Sequence, residues 1–375
     1  MSENYDVVQY LSGISAGSEL AKSRVIRQQA TEHTQGSYQA LFSRGSDDFP
    51  LALRTLIAAQ VAAWHQLTAL QQHYASLSPA AQPSAALTAA LSFARRLTFE
   101  PVACGPDDIQ HLQQAGWQTD TIVTLAQLIA FVSFQSRLIS GFRLLADHQA
   151  PSAGEPNPPV CAGRWHTHPQ TQQQQPAPVA FTQKTLGWEP WLAPKPLTEF
   201  TPQQQEILTG FGHQNSAYFR LLGRDLPVLE QRTLTDKGIF YTPGGLPRAE
   251  RELAAAVTSK VNGCIYCASV HARKASQLSK KRDEVALLLQ VQPGDPLSAG
   301  QSERWQAEIE AVAALSLTPP QLTATHLRTL SDLSLPVLEI TDLIQSAAFF
   351  AWANRLMLTL GEPFILPQNA ETAAR

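Results

Sequence analysis

Charge is scarce in this chain, and neither sign dominates. Of 375 residues, 28 are Lys or Arg and 31 are Asp or Glu, a net charge of −3 with no basic block or stripe. Phosphate backbones and anionic lipids are held by such blocks, so neither nucleic acid nor membrane is expected as a partner. Long hydrophobic runs are missing too, since no unbroken apolar stretch approaches the roughly 18 residues that span a bilayer. The opening "MSENYDVVQYLSGISAG" lacks a basic region followed by an apolar run, so it does not read as a signal peptide, and the expected location is the cytoplasm. No Gly-rich phosphate cradle and no Gly-x-Ser-x-Gly occurs, which removes support from nucleotide-dependent and serine-hydrolase chemistry. Cysteines number only four. In a reducing compartment a close pair among them points to catalysis or metal binding rather than to a structural staple.

What is present reads as helix. Hydrophobic content of 44% with 16% charged residues is that of a globular protein. The chain is long for one core, so two domains are expected. "ALRTLIAAQVAAWHQLTALQQHYASL" and "DLIQSAAFFAWANRLMLTL" carry apolar residues at helical spacing without Pro or Gly. No train of alternating strands is visible, and the expected class is all-α.

Residues 150–182 break the pattern. "APSAGEPNPPVCAGRWHTHPQTQQQQPAPVAFT" is rich in Pro and Gln and cannot bury enough apolar surface to fold alone, so it reads as a linker. It separates domains at 1–149 and 186–375, with the linker itself at 150–185. The flanking halves echo each other, as an internal duplication would. "AFVSFQSRL" (130–138) matches "AFFAWANRL" (348–356), which sets Arg137 opposite Arg355. "HTQGSYQALF" (33–42) resembles "HQNSAYFRLL" (213–222). The segment starting at Leu53 aligns with that starting at Arg251, which places Arg54 on Glu252, Gln66 on Cys264 and His73 on His271.

The chemistry concentrates in "ERELAAAVTSKVNGCIYCASVHARKA", residues 250–275. Asn262-Gly263 is a breaker pair, so a helix through Glu252 should end there and a second should open near Cys264. Cys264, Cys267 and His271 stand at i, i+3 and i+7, on one face of that second helix. A thiol in a first helical turn is expected to have a lowered pKa, because the helix dipole favours thiolate. A second thiol one turn away can condense with a sulfenic acid and form a disulfide. His271 could take a thiol proton, and Glu252 and Tyr266 could complete a relay if the first helix folds back on the second.

Blander readings stand beside these. Cys264, Cys267 and His271 could bind zinc, but a structural site needs a fourth close ligand, and Cys104 and Cys161 look isolated. Both thiols could be inert core residues. Glu252 could simply favour the start of its helix, and Tyr266 could be a core aromatic. Arg137 and Arg355 fit a carboxylate partner or a helix cap. In "RWHTHP" the histidines lack a scaffold, so adventitious metal binding is the most they suggest. The aromatics of "AAFFAWANRL" fit a core or subunit interface.

Taken together, Glu-x11-Cys-x-x-Cys-x3-His resembles the alkylhydroperoxidase (AhpD-like) proteins of the carboxymuconolactone decarboxylase superfamily. "LGWEPWLAPKPL", "SAYFRLLGRDLP", "GGLPRAERELAAA" and "AAFFAWANRLMLTLGEP" extend the likeness to its peroxidase-related branch. The resemblance implies tandem AhpD-like helical domains, the first a divergent copy without the Cys pair. It implies a thiol-dependent peroxidase acting on hydroperoxides, with Cys267 attacking, Cys264 resolving, and Glu252 and His271 moving protons. No bound cofactor or metal is implied. A thiol or dithiol donor protein would restore the pair, and a homo-oligomer is expected. The family histidine just before the second cysteine is here Tyr266. A lyase, a general disulfide reductase and a non-catalytic binding protein are the alternatives.

Overall fold

Ala- and Leu-rich segments with helical apolar spacing form helices here, and nearly all regular structure is helical. The computed structural model describes residues 6–43, 45–77, 82–147 and 158–367; the first part of the expected linker, 150–157, lies outside them. The N-terminal half runs α1 (Val7–Leu11), α2 (Glu19–Ile26), α3 (Gln28–Phe42), α4 (Leu51–Trp64), α5 (Thr68–Ala75), α6 (Ala85–Phe99), α7 (Pro106–Gln114) and α8 (Thr119–Ala146). The C-terminal half opens with strand β1 (Leu186–Pro190), then α9 (Pro202–Gly210), α10 (Ala217–Leu222), α11 (Leu226–Phe240) and α12 (Arg248–Val261). It continues with α13 (Ile265–Ser279), α14 (Arg282–Gln290), α15 (Glu303–Ser316), α16 (Ala324–Asp332), α17 (Val337–Thr359) and strand β2 (Gly361–Ile365), antiparallel to β1.

Two expectations about the repeat need correcting. The stretch 52–77 is two helices, not one: Gln66 takes a left-handed φ of +60°, and α5 folds back on α4 with Ile57, Val61, Leu70 and Tyr74 buried. The α12–α13 hairpin turns the same way through Gly263 at φ +77°. Arg54 donates to the carbonyls of Phe49 (3.0 Å) and Leu41 (2.9 Å), just as Arg251 donates to Leu246 (2.8 Å) and Ile239 (2.9 Å). Arg54 therefore corresponds to Arg251, and the alignment slips by one residue. Thr55, Leu67, Leu70 and Tyr74 occupy the places of Glu252, Cys264, Cys267 and His271. The apparent match of His73 to His271 caused the slip; His73 is bonded to the Tyr38 hydroxyl at 2.9 Å. Likewise 213–222 lies in the turn before α10 and in α10 itself, whereas the helix that pairs with α3 is α11.

The halves share one buried core. α8 lies along α17, and between them Phe134 stacks on Trp352 (centroids 5.5 Å) while Phe131 meets it edge-on (5.2 Å). Phe349 and Trp352 are thus core between the two halves, while Phe350 packs edge-on against His271. Among the described residues α8 alone is long and apolar enough to cross a membrane by length and composition, and its most apolar stretch is wholly buried in this core. The matched arginines are helix caps. Arg137 donates to the carbonyls of Ser316 (2.9 Å) and Leu317 (3.0 Å) at the end of α15, and Arg355 donates to Thr98 (2.7 Å) near the end of α6. Each cation meets the negative end of a helix from the opposite half.

Where α3 meets α11, a Cβ on Gly238 would collide with the backbone of Ala30, while one on Gly36 would strike only the Gln231 side chain. Alanine favours a helix over glycine by about 1 kcal/mol, but backbone overlap costs about 1–3 kcal/mol because α3 must move. Gly238→Ala should therefore lower stability in urea unfolding, and Gly36→Ala should leave it within about 1 kcal/mol of the parent. Equal midpoints for the two variants would contradict this packing.

From Pro158 onward the Pro/Gln-rich segment is not free. Ala162 donates to the Asp295 carbonyl (2.9 Å), Leu297 donates to Val160 (3.2 Å), and Ile365 donates to Pro176 (2.7 Å). Trp165 and Phe181 meet edge-to-face, and the buried Lys260 ammonium of α12 lies over both rings, 4.9 and 4.3 Å from their centroids. Its remaining partner is the Leu289 carbonyl at 2.5 Å, and burial pushes its pKa down to about 8. Composition judges a segment alone; here the C-terminal half supplies the surface that it packs on.

Candidate active site

The site is built at the α12–α13 turn. Gly263 is required there by its positive φ and by close approach, since a Cβ would collide with the Arg164 carbonyl of the docked segment. Cys264 is the N-cap of α13, and its backbone N–H donates to Ser259 (2.8 Å). Asn354 of α17 ties the turn to the core, accepting from Asn262 (3.0 Å) and donating to Ser259 Oγ (2.9 Å). Both thiols are free and buried, one at the N-cap of α13 and the other in its first turn.

The expectation of a lowered pKa at the helix start fails for Cys264. Burial pushes this thiol well above its ordinary value, and its hydrogen bond with Cys267 adds to the effect. The Cys267 backbone N–H and the Asn354 amide offset it only in part. A helix end contributes a fraction of a charge, which full desolvation outweighs.

Folding α12 back along α13 brings Glu252 to His271, whose Nδ1 lies 2.5 Å from Glu252 Oε2. Arg248 holds the other carboxylate oxygen, Nε at 2.8 Å and Nη2 at 2.7 Å. Glu252 is completely buried, and burial would raise its pKa. The His271 hydrogen bond and charge, helped by Lys274 and Arg248, reverse that and hold it below the usual carboxylate range. A depressed carboxylate stabilises the fold above its unfolded pKa, and this contribution fades as pH falls through the folded value. The helix start is therefore not the whole role of Glu252, which carries a paired charge inside the protein. Tyr266 is half-buried beside the thiols, and burial raises its pKa.

Two groups escaped sequence reasoning, and two histidines read there as adventitious metal binders return in another place. Tyr218 of α10 has a pKa raised by burial and, beyond the opposing Arg232, by the neighbouring Cys267 and Cys264. Its hydroxyl has no hydrogen-bond partner among the described residues. Asp236 of α11 stands near the His271–Glu252 pair with a pKa raised by burial, against the pull of Arg232 and His271. Tyr218 lies inside "SAYFRLLGRDLP", a quoted segment, but no spacing rule ties it to the cysteines. His166 and His168 come from "RWHTHP" and face a cavity of about 230 Å³ that also borders Cys264 and Tyr266. Cys104 lines the same cavity and so is not isolated, and burial pushes its thiol up to about 12. Cys161 is exposed. Among the described residues no group of three or more His, Cys, Asp or Glu is arranged to hold a metal ion.

The fold and the site together define an all-α protein with two buried thiols at a helix-hairpin turn and a histidine–carboxylate pair on the same hairpin. Residues 227–315, from α11 through most of α15, match the model of the carboxymuconolactone decarboxylase family, in line with the resemblance of the C-terminal half. No curated protein matches the chain.

Proposed function

We propose that the protein is a thiol-dependent peroxidase that reduces hydroperoxides through a Cys264/Cys267 dithiol–disulfide cycle. The observation that carries this reading is the joined set of two free, buried thiols one turn apart and the His271–Glu252 pair at 2.5 Å on the same hairpin. Burial pushes the Cys264 thiol up, and Cys267 stands one turn before His271, so Cys267 is assigned as the nucleophile. Its thiolate attacks the terminal oxygen, the O–O bond breaks, and the alcohol leaves with a proton from the His271–Glu252 pair, giving Cys267 sulfenic acid. The Cys264 thiol then displaces water and closes the disulfide. An external thiol or dithiol donor protein returns two electrons, and no bound metal or cofactor takes part. Tyr266 remains a candidate relay group.

In the same proposal the chain is two AhpD-like units, 1–149 and 186–375, joined through 150–185, and it forms a homo-oligomer in the cytoplasm. A lyase reading of the family name sits less well with the cavity, because a carboxylate-bearing lactone would meet Glu362 and no lysine or arginine there. The test is to add one equivalent of hydroperoxide to reduced, metal-free protein and map thiols after a rapid quench. A 264–267 disulfide should form much faster than free cysteine oxidises. Glu252→Gln should slow that step about a hundredfold, the range for loss of one proton-transfer group. Thiols that stay reduced would remove the peroxidase reading.

A further inference from the structure

The cavity beside the dithiol is composite. Cys264 and Tyr266 come from the hairpin, Cys104 and Pro106 from the N-terminal half, and His166 and Pro178 from the segment that joins the halves. Met357 and Leu358 of α17 and Trp191 add further apolar surface. Its charge is one-sided. Glu362 is the single acidic residue of the lining, and no Lys or Arg belongs to it. That carboxylate is fixed, accepting from the Gln172 backbone N–H at 2.7 Å and from Trp191 Nε1 at 3.0 Å. Burial, then the neighbouring His168, lowers the His166 pKa, with Glu362 pulling the other way, so this imidazole is neutral at pH 7 and offers hydrogen bonds without charge.

We propose that this cavity binds an uncharged organic molecule, with an apolar body and one hydrogen-bonding head, and discriminates against carboxylate-bearing analogues through Glu362. The apolar wall rewards burial of a hydrocarbon body. A carboxylate entering the same space would face the Glu362 charge, and the lining holds no lysine or arginine to offset it. The selecting groups lie outside the matched stretch 227–315: Glu362 and Trp191 flank it in the chain, and His166 belongs to the joining segment. The inference rests on the peroxidase reading for what then happens to the occupant, because the cavity borders Cys264, one of the two thiols of that cycle.

Binding can be tested without turnover. The redox-inert 2-phenylpropan-2-ol and its para-carboxylate differ only in the charge under test, and both can be titrated into the reduced full-length protein by calorimetry. The neutral alcohol should bind about tenfold or more tightly than the carboxylate at pH 7 and moderate salt. Glu362→Gln keeps an acceptor for Trp191 and Gln172 and should close most of that gap, which locates the effect at this cavity. Equal or tighter binding of the carboxylate, a gap untouched by Glu362→Gln, or no binding of either compound at millimolar concentration would overturn the assignment. Parallel thiol mapping with cumene hydroperoxide keeps the two ideas apart. If the alcohol binds with the expected preference while both thiols stay reduced, the peroxidase reading falls and the cavity assignment stands.

Discussion

Replacing Cys267 by serine should abolish hydroperoxide turnover, by about three orders of magnitude or more, because a serine hydroxyl at neutral pH is not a nucleophile toward an O–O bond. Cys264→Ser should fail differently. Its Cys267 still stands one turn of α13 from His271, so it should consume close to one equivalent of hydroperoxide and stop, holding a sulfenic acid that a dimedone label captures. The two variants therefore assign the roles that spacing leaves open. A burst in Cys267→Ser with none in Cys264→Ser would reverse the order, and the cavity bordering Cys264 makes that outcome worth measuring. The double serine variant addresses the family question. A decarboxylase or lactone lyase needs neither thiol, so full lyase turnover in that variant would exclude both thiol mechanisms.

The largest stability effect should come from Arg27, far from the thiols in sequence. Its Nε and Nη2 hold Asp342 of α17 at 2.6 and 2.8 Å, and the arginine also donates to the carbonyls of Pro243 (3.0 Å) and Gly244 (2.7 Å). Arginine and aspartate are both essentially without solvent exposure, at 0% and 1%. Arg27→Met leaves a buried carboxylate and the Pro243 carbonyl short of donors, while the Gly244 carbonyl keeps Arg251, a loss of about 3–5 kcal/mol. Asp342 keeps the Leu246 N–H at 2.9 Å and Arg251 at 3.3 Å, which places the expectation toward the lower end of that range. The pair joins the N-terminal half to the loop that leads into α12, so the variant should also slow thiol oxidation. Combining Arg27→Met with Asp342→Leu should cost less than the sum of the single changes, because no orphan charge remains. Strict additivity in urea unfolding would show that the pair is not coupled as drawn.

Local rules carried the sequence reading a long way. Apolar spacing marked the helices, Asn262-Gly263 marked the turn, and the thiols and His271 fell on one helix face because 3 and 7 residues nearly complete whole turns. The pairing of Glu252 with His271 followed once the hairpin was assumed. The slip of one residue between the halves arose because identical letters outweighed backbone geometry. Arg54 and Arg251 make the same two carbonyl bonds, and those bonds exist only in three dimensions.

What the sequence alone determined about this protein is therefore its helical class, its hairpin and its candidate dithiol, all set by interactions within a few turns of chain. The tertiary structure decided the rest. The pKa of Cys264 rises rather than falls because desolvation depends on what packs over it, not on its place at a helix start. Tyr218 and Asp236 join the site because α10 and α11 pack near it. "RWHTHP", without a scaffold of its own, becomes part of the cavity lining because Lys260, Trp165 and Phe181 dock the segment against the hairpin. Burial and long-range contact are properties of the folded chain, and no local pattern encodes them.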